Sequence, residues 1–431
     1  MKIAFFVSEF PSVSETFILS QITGLIDRGH QVDVYCDRAG DTTKIHAEVT
    51  QYQLLNRTYC IPPIPKKLVL RVIKAFFLFN FNFVKAPKLF LKAANFTKYN
   101  YWTYGTPACF LQPIHLVIPW LNKSPDYYDV IFCHFGDNGL KAILLKELGV
   151  IKGKIVITFH GYDLSLYLKM HGKDVYTRLL NRADLLQPIS QYWQQKLVSL
   201  GCDKDKIMVH HMGIDCQKFK EIARLAHSKI RLISVARLVE KKGLQYSIRA
   251  VAQLIPRYPN LEYQIVGDGI LKTDLQQLIE RLNASENIKL LGWKTQQQVS
   301  NIMNEADILL APSVTSQDGD CEGIPMCLME SMAKSLPVIS TNHSGIPELI
   351  EDGVSGYLLP EKEINDLAEK IEQLIINPEL RRKMGQAGRQ KIETEYNIEL
   401  LNNCLAQTLQ QLISTSTNKH AKSDRGEYIK M

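Results

Sequence analysis

The sequence predicts an α/β protein built from two doubly wound parallel-sheet domains, and three observations predict it. Short apolar runs alternate with amphipathic helical segments along almost the whole chain, the pattern of strands joined by helical crossovers. The alternation restarts after Asp215. The chain, at 431 residues, is too long for one ordinary hydrophobic core.

The elements follow in order. Ile3–Val7 reads as a buried strand, and the loop from Ser8 to Ser14 leads into a helix. That helix carries Phe17, Ile18, Gln21, Ile22, Leu25 and Ile26 on one stripe. Ser12 and Glu15 have capping-box spacing, and Ser14 is an alternative N-cap. Gly29 ends the helix, and Val32–Tyr35 opens the second strand. Further strands are expected at Val130–Cys133, Ile155–Phe159, Leu185–Ile189 and Ile207–His210.

In the second half strands are expected at Leu232–Ala236, Tyr263–Val266, Lys289–Gly292, Ile308–Ala311, Pro337–Ser340 and Tyr357–Leu359. Helices between them are expected near Leu244–Leu254, Leu271–Leu282, Gln297–Asn304, Pro325–Lys334 and Pro347–Ile350. The expected domains are 1–215, with a basic apolar insertion at about 49–125, and 216–392. A helix over 393–413 should return to the first domain, and 414–431 is polar enough to be disordered.

Composition narrows the function. The charged share, 22%, is that of an ordinary globular protein, and a net charge of +7 hints at an anionic partner. The nine cysteines form no CxxC pair and no zinc spacing, so they read as free thiols, and no metal site is expected. Ile3–Val7 is shorter than a secretory apolar region, and no uncharged run is long enough to span a bilayer, so the expectation is a cytoplasmic protein. From Val49 to Pro125 there is no Asp or Glu, while Arg57, Lys66, Lys67, Arg71, Lys74, Lys85, Lys88, Lys92, Lys98 and Lys123 are interleaved with aromatic and aliphatic residues. Such a segment suits an anionic membrane surface, or a helical insertion with solvated lysines. No nucleic-acid module accompanies it.

The chemistry concentrates after strands. In Asp318-Gly-Asp-Cys-Glu322-Gly-Ile-Pro325, Glu322 follows a strand and its loop, Pro325 suits a first helical turn, and Glu330 lies eight residues on. The N–H groups of Gly323 and Ile324 could hold a diphosphate at the helix start, and a carboxylate nearby could accept from ribose hydroxyls. Two glutamates alone would sooner be read as ordinary helix acids. Arg237 and Lys242 follow a strand and could neutralise a diphosphate leaving group. Val266-Gly267-Asp-Gly269 is not a full dinucleotide fingerprint, so nicotinamide is not expected. In the first half, His160 in Thr158-Phe-His-Gly-Tyr-Asp163 and His134 in His134-Phe-Gly136 end strands.

Together these segments resemble the retaining, GT-B-fold glycosyltransferases of group 1, or family 4. Glu322…Glu330 resembles that family's E-x7-E element, and Ala236-Arg-Leu-Val-Glu-Lys-Lys-Gly243 its donor-phosphate segment. Gly345-Ile-Pro-Glu348 and Asp352-Gly353…Gly356-Tyr357 complete the series. The resemblance implies two Rossmann-like domains facing across a cleft. It implies a nucleoside diphosphate sugar donor held by Arg237, Lys242, Gly267, Gly323, Ile324 and Glu330, with Glu322 on a donor hydroxyl. His160 would face the donor sugar, and no cofactor or metal would be required. The first loop departs from the family's usual glycine pair and resembles a subgroup that builds exopolysaccharides such as colanic acid and amylovoran. Ser14, Glu15, Thr16 and His134 are its expected acceptor contacts. The acceptor would be a glycan or lipid-linked glycan, met on the cytoplasmic face of the membrane. An epimerase or phosphorylase on the same fold, or a non-catalytic sugar-nucleotide binder, remain open at this point.

Overall fold

The computed structural model describes residues 1–12, 14–43, 45–65, 67–121, 126–221 and 229–426, the last stretch (415–426) in backbone alone. Of the basic run, Lys66 and Lys123 lie outside the described residues, as does the end of the expected tail, 427–431. The chain forms two compact units. One comprises Met1–Pro188, Gln194–His210 and the chain from Asn402 on; the other comprises Ile189–Trp193 and His211–Leu401.

Each unit holds one six-stranded parallel sheet, so both are Rossmann-like. In the first the strands are β1 (Lys2–Phe10), β2 (Gln31–Ala39), β3 (Thr58–Cys60), β4 (Asp126–His134), β5 (Ile151–Phe159) and β6 (Leu185–Pro188), ordered β3-β2-β1-β4-β5-β6. In the second they are β7 (Ile230–Val235), β8 (Leu261–Val266), β9 (Ile288–Gly292), β10 (Ile308–Ala311), β11 (Val338–Thr341) and β12 (Tyr357–Leu359), ordered β12-β11-β10-β7-β8-β9. Strand order reverses at β1 and at β7, so the loops after these strands open where such sheets bind ligands.

The first core sits where Phe5 of β1 pairs with Val34 and Phe132 and packs with Ile18, Ile22 and Leu25. Leu405 and Leu409 from helix Ile398–Gly426 join it, and Asn402 Nδ2 donates to Ser20 O over 3.1 Å. In the second unit Leu232, Ile265 and Leu310 share a core with Leu244, Ile248 and Val251 of helix Leu244–Leu254 and with Ile371 and Leu374 of helix Ile364–Ile376. Each fully buried aliphatic side chain contributes about 1.5–3 kcal/mol.

Four local expectations are corrected, and one strand is added. β1 does not stop at Val7 but runs to Phe10, because Glu9 and Phe10 continue the ladder opposite Arg38 and Ala39. Neither Ser12 nor Ser14 caps the first helix, Thr16–Asp27: its N-cap is Glu15, with no side-chain capping bond. Ile207–His210 is extended but not a sheet strand; it makes single bonds, Met208 N–H to Leu186 O and His210 N–H to Pro188 O. β3 arises inside the basic segment, too short to be seen as a pattern, by edge pairing with Val34–Cys36. Helix Ile398–Gly426 continues in backbone past Ser414, where the polar composition suggests disorder.

Candidate active site

In the second unit the candidate side chains stand on the loops after β7 and β10, which are neighbours in the sheet. Gly243 follows β7 with φ +63°, and a Cβ there would lie 1.8 Å from Pro312 O; Gly267 follows β8 with φ +140°, and a Cβ would lie 1.9 Å from Ala236 O. Only glycine lets these loops pass so closely over the strand ends.

The chain from Asp320 to Glu330 crosses this edge. Helix Met326–Ala333 starts at N-cap Pro325. Glu322 is buried, 7% exposed, and meets two lysines: Lys242 Nζ donates to Oε2 at 2.8 Å, and Lys241 Nζ lies 3.4 Å from Oε1 and 2.8 Å from Asp320 Oδ2. Burial alone would raise the carboxyl, but Lys242, Lys241 and the more distant Arg237 hold it down at about 2. Glu322 is therefore a fixed anion. Its backbone is fixed too: Glu322 N–H donates to His343 Nε2 at 2.9 Å, and His343 Nδ1 meets Glu361 Oε1 at 2.6 Å, which sets the tautomer with the proton on Nδ1. Glu361 in turn accepts from Thr315 N–H at 2.9 Å.

Two groups at this edge are unsatisfied. Arg237 is exposed, and its guanidinium takes part in no hydrogen bond or ion pair among the described residues. Glu330 is half-buried and also lacks a bonded partner among them; burial pushes its carboxyl up to about 7 against the pull of Lys218 and Lys334. Among the described residues no protein acceptor takes the N–H groups of Gly323 and Ile324, while Gly323 O is held by Ser344 Oγ at 2.9 Å. Among the described residues the arrangement is a cation without a bonded partner, N–H donors without acceptors and a carboxyl without a bonded partner beside a locked Lys–Glu pair.

The structure brings together Arg237, Lys242, Gly323, Ile324 and Glu322 as the sequence suggests, with one difference. Lys242 is not a free phosphate ligand but is tied to Glu322, because two cations converge on one buried carboxylate. Sequence reasoning missed Lys241, Asp320, His343 and Glu361 as parts of the site. Lys241 beside Lys242 was ambiguous in sequence, and no spacing links His343 to Glu361.

In the first unit β4 and β5 end side by side at His134 and Phe159. His160 then turns inward, so that its Nε2 lies 2.9 Å from His134 Nδ1, with the rings of Phe17 and Phe135 at 4.8 and 4.5 Å. Burial drives the imidazole of His160 down to about 3, so it is neutral. Asp163 collects the backbone N–H groups of His160 (3.0 Å), Gly161 (2.9 Å) and Gly136 (3.2 Å), and burial raises its carboxyl to about 7 in spite of them. His134 is 0% exposed, which corrects its expected role as an acceptor contact: it supports His160 from behind. Ser14 is exposed, and Glu15 and Thr16 are half-buried. Glu15 is raised to about 7 by burial and by Glu9 and Asp137, with Arg38 opposing. Among the described residues no cluster of three His, Cys, Asp or Glu stands close enough to hold a metal ion.

Comparison with known proteins accounts for both units. The family Glycosyl transferases group 1 matches residues 215–391, and Glycosyltransferase Family 4 matches residues 14–218. The chain is 40% identical to the amylovoran biosynthesis glycosyltransferase AmsK of Erwinia amylovora, over 96% of this chain and 100% of that one. It is 37% identical to WcaL of Salmonella typhimurium, a glycosyltransferase named for colanic acid biosynthesis, again over 96% and 100%. Among solved structures, Anabaena HepE in complex with UDP has a TM-score of 0.68 at 19% identity, covering 95% of this chain and 100% of that one. Sucrose-phosphate synthase from Thermosynechococcus elongatus has a TM-score of 0.70 at 16% identity, covering 96% and 100%. These last two share the GT-B fold. With its two parallel-sheet units and its match to AmsK over nearly the whole length, the chain belongs to the group 1 (family 4) glycosyltransferases and is a glycosyltransferase.

Proposed function

We propose that this glycosyltransferase moves a sugar, with retention of anomeric configuration, from a nucleoside diphosphate sugar to a lipid-linked glycan at an anionic membrane surface, in the synthesis of an extracellular polysaccharide. The observation that carries the reading is that Arg237 and Glu330 each lack a bonded partner among the described residues, on the loops and helix that hold the Lys242–Glu322 pair. Glu330 accepts from the ribose hydroxyls. Arg237 and the N–H groups of Gly323 and Ile324 take the diphosphate, and Gly267 gives the nucleotide close access to the backbone. Lys242 is shared between Glu322 and the departing phosphate, and Glu322 holds a donor hydroxyl.

In the first unit Ser14, Glu15 and Thr16 bind the acceptor, and neutral His160 offers a hydrogen bond to the donor sugar. Glu322, held between two lysines, is a poor nucleophile. Retention then follows from attack by the acceptor hydroxyl on the face the phosphate leaves. The C–O bond to acceptor forms as the bond to the diphosphate breaks, and the acceptor's proton passes to the phosphate oxygen. Arg237 and Lys242 meet the developing charge, at about 3–4 kcal/mol for each well-aimed donor, so neither a metal nor a cofactor is required. The kinship with AmsK supports a role in exopolysaccharide synthesis. No helix among the described residues is long and apolar enough to cross a membrane, so the membrane contact in this reading is peripheral.

The test is a thermal-shift screen with UDP-, GDP-, ADP- and TDP-sugars in the presence of EDTA, followed by nucleotide release on addition of a glycan-lipid acceptor. A donor at 100 times its dissociation constant adds about 2.7 kcal/mol of stability. A shift abolished by Glu330→Ala, with acceptor-dependent nucleotide release and a product of retained configuration, supports the reading. Donor conversion without acceptor, or binding without any turnover, overturns it.

A further inference from the structure

Helix Leu68–Phe83 is built inside out. Its cations turn back onto the protein: Arg71 Nε donates to Pro65 O at 3.1 Å and Lys74 Nζ to Pro63 O at 2.6 Å. Ala75 is buried, and Phe79 stacks on Phe83 (4.9 Å) and meets Phe90 edge-on (5.6 Å). The opposite half, by contrast, presents Val69, Val72, Ile73, Phe76, Phe77 and Phe81, between 42% and 76% exposed. At 100° per residue these six share one side of the helix, the reverse of a helix that faces its own core. A contiguous apolar face of this kind on a folded unit marks a contact site.

We infer that this face is an in-plane membrane anchor whose occupant is an anionic lipid bilayer. Charge argues for lipid headgroups: no Asp or Glu occurs from 49 to 125, and exposed Lys67, Lys85 and Lys88 flank the helix ends. Rings at Phe76, Phe77 and Phe81 enter the acyl boundary while the flanking lysines stay at headgroup level. Its 16 residues extend only about 24 Å, short of the ~30 Å hydrocarbon core, so the helix lies in the surface and does not cross it. This deepens the membrane-surface part of the proposed function and is independent of which donor the second unit binds.

The experiment is co-sedimentation of the full chain with vesicles of phosphatidylcholine alone and of phosphatidylcholine mixed with phosphatidylglycerol. Binding is expected only to the anionic vesicles and is expected to weaken with salt. Phe77→Ser with Phe81→Ser is expected to lower the partition coefficient by about 100-fold, a tenfold loss for each ring removed from the bilayer. A Phe77→Trp reporter should show a blue-shifted emission on the same vesicles. Unchanged binding by the double variant, or an emission from the reporter that does not shift on bound vesicles, overturns the inference. So does concentration-dependent self-association of the wild type that the double variant abolishes, since the face would then seat a second copy. Thermal shift by the donor in vesicle-free buffer should be the same for wild type and double variant, which separates a failed anchor from a failed donor site.

Discussion

The backbone N–H of Glu322 donates to Nε2 of His343 across 2.9 Å, and it is a side chain 21 residues away that aims the glutamate of the E-x7-E element. Glu361 completes the chain by holding the other ring nitrogen. His343→Ala leaves that buried N–H without its acceptor and is expected to cost about 1–3 kcal/mol in urea denaturation. Turnover should fall more than donor affinity, because Arg237 and Glu330 are untouched. His343→Gln, whose amide oxygen can take the same N–H, should recover part of the turnover.

Glu322 and Arg237 should separate stability from catalysis. Arg237 has no bonded partner among the described residues, so Arg237→Ala should leave stability within about 0.5 kcal/mol while lowering turnover about 100- to 1,000-fold. Glu322→Gln strips Lys241 and Lys242 of their buried carboxylate and should destabilise the fold by about 3 kcal/mol. Nucleoside diphosphate affinity should hold or tighten, since Lys242 is released toward phosphate, while turnover is lost. Calorimetric titration with the nucleotide alongside steady-state kinetics checks both variants.

The two glutamates should give opposite pH dependences. Glu330 is raised from 4.5 to about 7, so the folded state holds its proton more tightly than the unfolded state does. Its contribution to stability is full below about pH 4.5 and is lost as pH rises through about 7. Glu322 is lowered from 4.5 to about 2, so its contribution is present above pH 4.5 and is lost as pH falls toward 2. Donor affinity should rise through pH 7 as Glu330 ionises and becomes a pure acceptor. Glu330→Gln should flatten the part of that rise not due to the nucleotide's own phosphates, measured by thermal shift across pH.

Asp163 supports the loop that carries His160. Asparagine there would turn an N–H₂ toward one of the three backbone N–H groups that the carboxylate now accepts. Asp163→Asn is expected to cost about 1–3 kcal/mol and to reduce turnover with donor affinity kept. Thermal denaturation and nucleotide binding measured on the same preparation decide it.

Much of this was legible in the sequence. Helix Leu244–Leu254 and strand Ile308–Ala311 lie where the apolar pattern puts them, because each buries a face whose period is set by its own backbone geometry. Arg237, Glu322 and Glu330 could be proposed as site residues because strand ends and a helix start are local events. The sequence by itself thus determined the two parallel sheets and the order of their elements apart from β3 and Ile207–His210, and it pointed to the loops after β7 and β10 as the candidate site. The tertiary structure alone decided that Lys242 is paired with Glu322, that His134 lies behind His160, that His343 and Glu361 aim Glu322, and that helix Leu68–Phe83 turns Phe76, Phe77 and Phe81 outward. Those depend on burial and on charges brought together from far along the chain, and no local periodicity encodes which distant side chain will fill a given space.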